Sequence, residues 1–192
     1  MGRFEEADRV VADRLKRIPD DVFAMRTLVW IAIARGDYVQ AHALDQNIID
    51  GGKAEPQDLN SISWHSLFVG KVEATDIEDA LKAAQLSGNN TSILHTLGCV
   101  YAEVGKTKEA REVLIQAMDD LNLDEPDENY WYAFGRIAEQ YGERDAALAN
   151  YARVTKPKRA VEIPDSTYYL AQVRLRSLRS EKQAGFASTT IR

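Results

Sequence analysis

Two histidines and a cysteine are the residues of this chain that come nearest to the pattern of a metal site. His65 and His95 occupy equivalent positions in two successive segments, and Cys99 follows His95 by one helical turn. Imidazole and thiolate are zinc ligands, and three of them are the fewest that a zinc site needs. No fourth ligand and no CxxC or HExxH spacing accompanies them. We therefore expect side chains that line a surface, with no metal and no cofactor.

Two arginines could hold an anionic group of a partner. Arg26 and Arg136 could each bind a carboxylate or a phosphate, because a guanidinium donates two parallel hydrogen bonds to such groups. No catalytic pattern accompanies them, since the sequence has neither a Gly-rich phosphate loop nor a nucleophile elbow. The segment GKTKE at 105–109 lacks the upstream glycine of a phosphate loop. We therefore expect that the protein is not an enzyme.

The composition favours helix and disfavours nucleic acid as a partner. Ala and Leu are abundant, and only five Pro and eleven Gly interrupt the chain of 192 residues. The net charge of −6 disfavours nucleic-acid binding. Residues 153–192 are nevertheless basic, with nine Lys/Arg against three Asp/Glu. An acidic body with a basic end could orient a partner, although a solvated surface is the simpler interpretation.

Compartment signals are sparse. The single cysteine excludes an internal disulfide and fits a reducing compartment. The N-terminal MGRFEEADRV has no apolar segment of a signal peptide, and no apolar run reaches the roughly 20 residues of a membrane span. A cytoplasmic location is favoured, although a targeting segment could precede the sequence if the chain is a fragment.

An internal repeat indicates which elements position these residues. A turn residue, in most cases Gly, precedes an alanine by five residues, and these alanines recur at intervals of 34, 39, 30 and 37 residues. They are Ala7, Ala41, Ala80, Ala110 and Ala147. Before the last four, apolar residues recur at i, i+3 and i+7, which places them on one helical face. Each unit is predicted to be a helix A, a short turn and a helix B. Gly98 and Gly135 inside helices A are explicable if another helix packs tightly there, since Gly costs roughly 1 kcal/mol relative to Ala.

The pattern resembles the tetratricopeptide repeat, most closely in segments 93–118 and 131–154. The matching residues are Leu97, Gly98, Tyr101, Gly105, Ala110, Leu114 and Ala117 in the first segment, and Trp131, Phe134, Gly135, Gly142, Ala147 and Tyr151 in the second. Residues 22–50 match moderately. Residues 59–87 match least, because Lys71 and Thr75 replace a small residue and a glycine.

The resemblance implies an all-α fold, a right-handed superhelix of antiparallel helix pairs (an α-solenoid), over about residues 2–155. The predicted units are a half repeat at 2–20, repeats at about 21–55, 58–89, 90–124 and 127–157, a capping helix at 164–181 and a disordered tail at 182–192.

The resemblance also implies a protein-binding scaffold whose helices A line a concave groove. The predicted groove residues are Arg26, Trp30, His65, His95, Cys99, Tyr132, Arg136 and Tyr168. Of these, Tyr132 and Arg136 are expected to lie outside the helix-packing set. The partner is a protein or peptide whose identity the sequence does not give. The Lys and Asn set with which some family members grip a C-terminal carboxylate is absent.

Two other functions stay open. The chain could be a structural or oligomerisation segment whose edges make the contacts. It could also be a regulatory appendage of a larger enzyme, because the repeats resemble the C-terminal arrays of large bacterial multidomain proteins. The first unit has a helix B without a helix A, so Val10, Val11 and Leu15 would lack cover on one side. This favours a chain cut from a longer protein. The apolar surface of residues 4–15 is also expected to make contacts that support a homo-oligomer.

Overall fold

The computed structural model describes residues 2–157 and 164–189, with side chains for 4–157 and 164–180. The described residues form an all-α helical repeat array without strands, which confirms the predicted fold class. In chain order the helices are α1 (Gly2–Arg17), α2 (Val22–Arg35), α3 (Tyr38–Asp50), α4 (Pro56–Val69), α5 (Ala74–Leu86), α6 (Thr91–Glu103), α7 (Thr107–Asp120), α8 (Tyr130–Gln140), α9 (Arg144–Ala152) and α10 (Thr167–Thr189).

The helices form two layers, and their contacts show which layer lies inside. Each helix packs against the next one in the chain, and α4, α6, α8 and α10 also contact one another in sequence. Among the described helices, the odd-numbered ones form no comparable series. From α4 onward the even-numbered helices, which are predicted helices A and the predicted capping helix α10, are therefore closer together, and we take their side as the concave face of the array.

Glycine in the left-handed conformation ends the first helices A. Gly36 has a φ of 75°, and its N–H donates to the carbonyls of Ala32 and Ile33 at the end of α2. Gly70, with a φ of 80°, does the same after α4. The repeat pattern placed this turn at Thr75, which instead lies inside α5. The prediction was wrong because the connection between α4 and α5 is longer here than in the other units.

The two helices of each pair cross at the predicted alanines. Ala41, Ala80, Ala110 and Ala147 each expose 0 % of their surface. Two helices A approach their partners even more closely. A methyl group built on Gly98 would lie 2.6 Å from Cδ2 of Leu114, and one on Gly135 would lie 2.5 Å from Cε1 of Tyr151. These glycines therefore leave room for a side chain of helix B.

Some predicted boundaries differ from the structure. Helix α4 begins at Pro56, and Asp58 accepts a hydrogen bond from the N–H of Glu55 instead of being the N-cap itself. Helix α10 continues past the predicted end at 181, so the backbone of the predicted disordered tail is helical as far as Thr189. Ala, Glu, Lys and Gln are strong helix formers and extend the helix there. Residues 190–192 lie outside the described part of the chain.

The N-terminal edge is better covered than the sequence suggests. Val11 is buried and Leu15 is half-buried in a cluster with Ala24 and Ile31 of α2, whereas Val10 is exposed. Helix α2 therefore covers part of the apolar surface of α1. Across the described residues, no helix is both long enough and apolar enough for a bilayer crossing.

The glycine contacts generate a stability prediction. We expect Gly135→Ala to lower the free energy of unfolding by about 2 kcal/mol despite the higher helix propensity of Ala, because the new methyl group overlaps the buried ring of Tyr151. Gly98→Ala is the matched comparison and should cost less, because the Leu114 side chain can rotate whereas the Tyr151 ring is rigid. Urea denaturation of both variants measures the difference. A Gly135→Ala variant that is as stable as the parent would contradict the packing.

Candidate binding groove

The concave face contains two adjoining cavities. One, of about 340 Å³, lies between α2 and α4. The other, of about 410 Å³, lies between α4, α6 and the segment that precedes α8. Asn60, Trp64 and Asp165 line both. We call the two cavities together the groove.

A short turn of the chain itself crosses the groove. This turn, residues 164–166, comes directly before α10 and is called the strap. The Tyr38 hydroxyl donates to the Pro164 carbonyl at 2.7 Å, and the Trp64 indole Nε1–H donates to the Asp165 carbonyl at 2.9 Å. The Asp165 carboxylate oxygen Oδ2 lies 3.9 Å from Nε2 of His65. Side chains of α3 and α4 therefore hold a segment from the other end of the array through its main chain.

The strap leaves several polar atoms unsatisfied. Asn60 Oδ1, Asp165 Oδ1 and Ser166 Oγ are buried and have no hydrogen-bond partner among the described residues. A buried polar atom without a partner costs about 1–3 kcal/mol. The strap is therefore held by its carbonyls but is not a fully complementary occupant of the groove.

Two predicted groove residues of α2 have different environments. Trp30 lines the smaller cavity and exposes 66 % of its surface. Arg26 also lines it, but its guanidinium is paired with Asp58 and Glu55, with distances of 2.7 Å in both cases. Burial disfavours the ionised form of Asp58, yet the hydrogen bonds from Arg26 and the Glu55 N–H hold its pKa below the ordinary value. Trp30 is thus accessible, whereas Arg26 already has anionic partners.

His65 is buried and pairs with an aspartate that the sequence analysis did not select. Its Nδ1 lies 2.5 Å from Oδ2 of Asp45 on α3. Burial raises the pKa of Asp45, and the hydrogen bond from His65 partly offsets this. The described residues contain no group of three metal-ligating side chains, and His65 does not join His95 and Cys99 in one site.

His95 and Cys99 lie on the side of the larger cavity. His95 lines that cavity, contacts the rings of Trp64 and Tyr130, and lies 3.6 Å from the Cys99 sulfur. Burial lowers the pKa of His95 and raises that of Cys99, so both are favoured in their neutral forms. Cys99 exposes no surface, and its predicted groove-lining position is in fact a core position.

Tyr132 and Arg136 also belong to the packed interior, which corrects the expectation that they lie outside it. Both side chains are buried. Arg136 donates to the Glu103 carboxylate at 2.7 and 3.1 Å and lies 2.9 Å from the Glu139 carboxylate, so it ties α6 to α8. Tyr132 packs beside the ring of Tyr151 on α9, and Arg136 faces Glu103 on α6, so each lies between two helices. Tyr168 is half-buried, packs against the core and lines neither cavity.

The residues that hold the strap were missed as site residues. None of Tyr38, Trp64 and Asp165 was among the predicted groove residues. Trp64 gave the one signal of a site residue in the sequence, since the indole N–H of a covered tryptophan needs a hydrogen-bond acceptor. No sequence signal pairs it with a residue 101 positions away.

The buried arginine generates a prediction. Arg136→Ala should lower the free energy of unfolding by about 2–3 kcal/mol, because Glu103 and Glu139 lose their shared cation in a buried setting. Arg136→Met should cost less, because it keeps the packing of the stem. Arg35→Ala, which removes a more exposed ion pair with Asp8, is the control and should change stability by under about 1 kcal/mol. Equal stability of Arg136→Ala and the parent in urea denaturation would contradict this role.

A second histidine–aspartate pair generates a pH prediction. His42 lies on α3, and its Nε2 is 3.0 Å from Oδ1 of the buried Asp76 on α5. The hydrogen bond with Asp76, together with the charges of Asp76, Asp45 and Asp79, raises the pKa of His42 above 6.5, although burial opposes this. The stabilisation is therefore complete below pH 6.5 and is lost as the pH rises through the raised value.

We expect the stability difference between the parent and His42→Gln to shrink from pH 6 to pH 9 as that stabilisation is lost. Urea denaturation at intervals of pH measures the difference, and contributions of groups common to both proteins cancel. A difference that stays constant over this range would show that His42 is not charged in the folded state.

Comparison with known proteins identifies no relative. No family model matches the chain, and no curated protein sequence is significantly similar to it. The function must therefore be inferred from the groove itself.

Proposed function

We propose that the protein is a tetratricopeptide-like scaffold that binds a peptide segment of a partner protein in the groove. The observation that carries this proposal is the strap itself, a peptide segment held in the groove through main-chain carbonyls. Groups that accept one segment in this way can accept another, because hydrogen bonds to carbonyls do not depend on the side chains of the ligand.

The accessible aromatic surface of the groove supports the same proposal. Trp30 is largely exposed beside the smaller cavity, and Phe23, two helical turns earlier on α2, is exposed as well. Large aromatic side chains at the centre of an interface typically contribute more than 2 kcal/mol of binding free energy. The close helix crossings at glycine and alanine residues support the tetratricopeptide-like part of the proposal, because the same residues carry the resemblance in the sequence.

The internal ion pairs narrow the proposed mode of recognition. Arg26 and Arg136 have acidic partners within the protein, so binding a partner carboxylate would require breaking those pairs. The proposed recognition therefore uses stacking on Trp30, hydrogen bonds from Tyr38 and Trp64, and a hydrogen bond that Asn60 Oδ1 accepts. A binding role, rather than catalysis, is what this set of neutral groups supports best.

A double substitution in the groove tests the proposal. A partner captured by the parent protein and then purified should bind Trp30→Ala/Asn60→Ala at least tenfold more weakly, which requires only about 1.4 kcal/mol. The fold should persist, because Trp30 exposes 66 % of its surface. Tyr141→Ala is the matched control, since Tyr141 exposes 65 % of its surface and lines neither cavity of the groove.

Titration calorimetry with the parent, the double variant and the control gives the three affinities. If the folded double variant binds as tightly as the parent, the groove is not the site. A loss caused by Tyr141→Ala alone would move the contact to the surface between α7 and α8, where Tyr141 lies.

A further inference from the structure

We propose that the strap is an intramolecular ligand of the groove, and that the partner segment is an acidic turn which displaces it. This inference rests on the proposed function and specifies the chemistry of its ligand. The partner segment would present two consecutive carbonyls to Tyr38 and Trp64 and an aspartate carboxylate toward His65, as residues 164 and 165 do.

The position of the strap supports this inference. It comes directly before α10, which packs on α8 and α9, yet its hydrogen bonds are made with α3 and α4. Thr167 then donates to the side chain of Asn129, directly before α8. The chain therefore crosses the concave face on its way to α10 and separates the two cavities, both of which Asp165 lines.

Polar atoms without hydrogen-bond partners explain how a partner segment could replace the strap. The side-chain oxygens of Asn60, Asp165 and Ser166 are buried without a partner among the described residues. A partner segment that keeps the two carbonyl contacts and also bonds to Asn60 would be more complementary than the strap. The contacts that hold the strap in place are two hydrogen bonds from neutral donors and the approach of the Asp165 carboxylate to His65, so no covalent bond has to be broken to release it.

The expected size of the effect follows from competition. The apparent dissociation constant of a ligand equals its intrinsic dissociation constant divided by the fraction of molecules whose site is open. If the strap occupies the groove in at least nine of ten molecules, releasing it should tighten ligand binding at least about tenfold.

The experiment uses the full chain and a peptide in which Pro-Asp-Ser-Thr is flanked by two glycines on each side. Pro164→Gly/Asp165→Gly weakens the strap and shifts the equilibrium toward its released state, because glycine increases the entropy of the free segment and the carboxylate near His65 is lost, although both carbonyls remain. Asp124→Gly/Pro126→Gly is the matched control, since it replaces the same residue types in the loop before α8, where they line neither cavity. Peptide affinity is measured by NMR titration on the indole N–H signal of Trp64.

The proposal predicts three results. The released variant should bind the peptide at least tenfold more tightly than the parent and the control do. Its Trp64 indole signal should shift when the strap is released and return toward the parent position when the peptide binds, because the peptide supplies the same acceptor. A peptide with Asn in place of Asp should bind the released variant more weakly.

If the two glycines unfold α10, Asp165→Ala alone should still increase the affinity.

Two outcomes would overturn the proposal. A folded released variant that binds the peptide no more tightly than the parent shows that the strap does not compete. If Trp30→Ala/Asn60→Ala nevertheless weakens the captured partner, the proposed function stands and only the competing strap is lost. If neither the groove substitutions nor strap release changes any affinity, both proposals fail.

Discussion

The close crossing of helices A and B at residues with little or no side chain is the constraint on which the rest of the structure depends. The alanine of each pair has no exposed surface, and the two helical glycines leave room for Leu114 and Tyr151. Because each pair is thereby fixed, the helices A stand side by side and present a continuous concave face. The Tyr151 hydroxyl donates to the Glu139 carboxylate at 2.7 Å. Glu139 also pairs with Arg136, so the closest helix crossing and the buried ion pairs involve neighbouring residues.

In that arrangement, most charged side chains on the concave face form ion pairs within the protein. Arg26 pairs with Asp58 and Glu55, Arg136 with Glu103 and Glu139, and His65 with Asp45. Paired groups of this kind position the helices relative to one another. The groups left for a partner are mainly aromatic rings, an amide and hydroxyl or indole donors. Affinity for a partner held by such groups should therefore depend only weakly on salt concentration.

The fold was predictable from the sequence because its signals are local. Helical pairs are indicated by features that lie within a few dozen residues of one another: Gly36, the spacing of the alanines and the rows of apolar residues on helices A. The site was less predictable, because helical periodicity gives the direction in which a side chain points but not how deeply it is covered. Tyr132 and Arg136 were predicted to line the groove and are buried in the interior, whereas Trp30, predicted on the same face, is exposed.

The strap could not be predicted because it depends on contacts that are distant in sequence. The hydrogen bond from Tyr38 to Pro164 joins residues 126 positions apart and involves a main-chain carbonyl, which has no sequence signature. Turn signals such as Pro164 and Asp165 indicate where the chain bends, but they do not indicate which surface the bend contacts.

The apolar core is divided at the boundary between α3 and α4. Buried side chains of α4 to α10 form one cluster, whereas those of α1, α2 and α3 form two smaller clusters. In a repeat array each unit is stabilised mainly by its neighbours, so cooperativity is weakest where the shared apolar surface is smallest. Amide hydrogens of the first three helices should therefore exchange through a partial opening, at a lower free energy than those of α6 and α8.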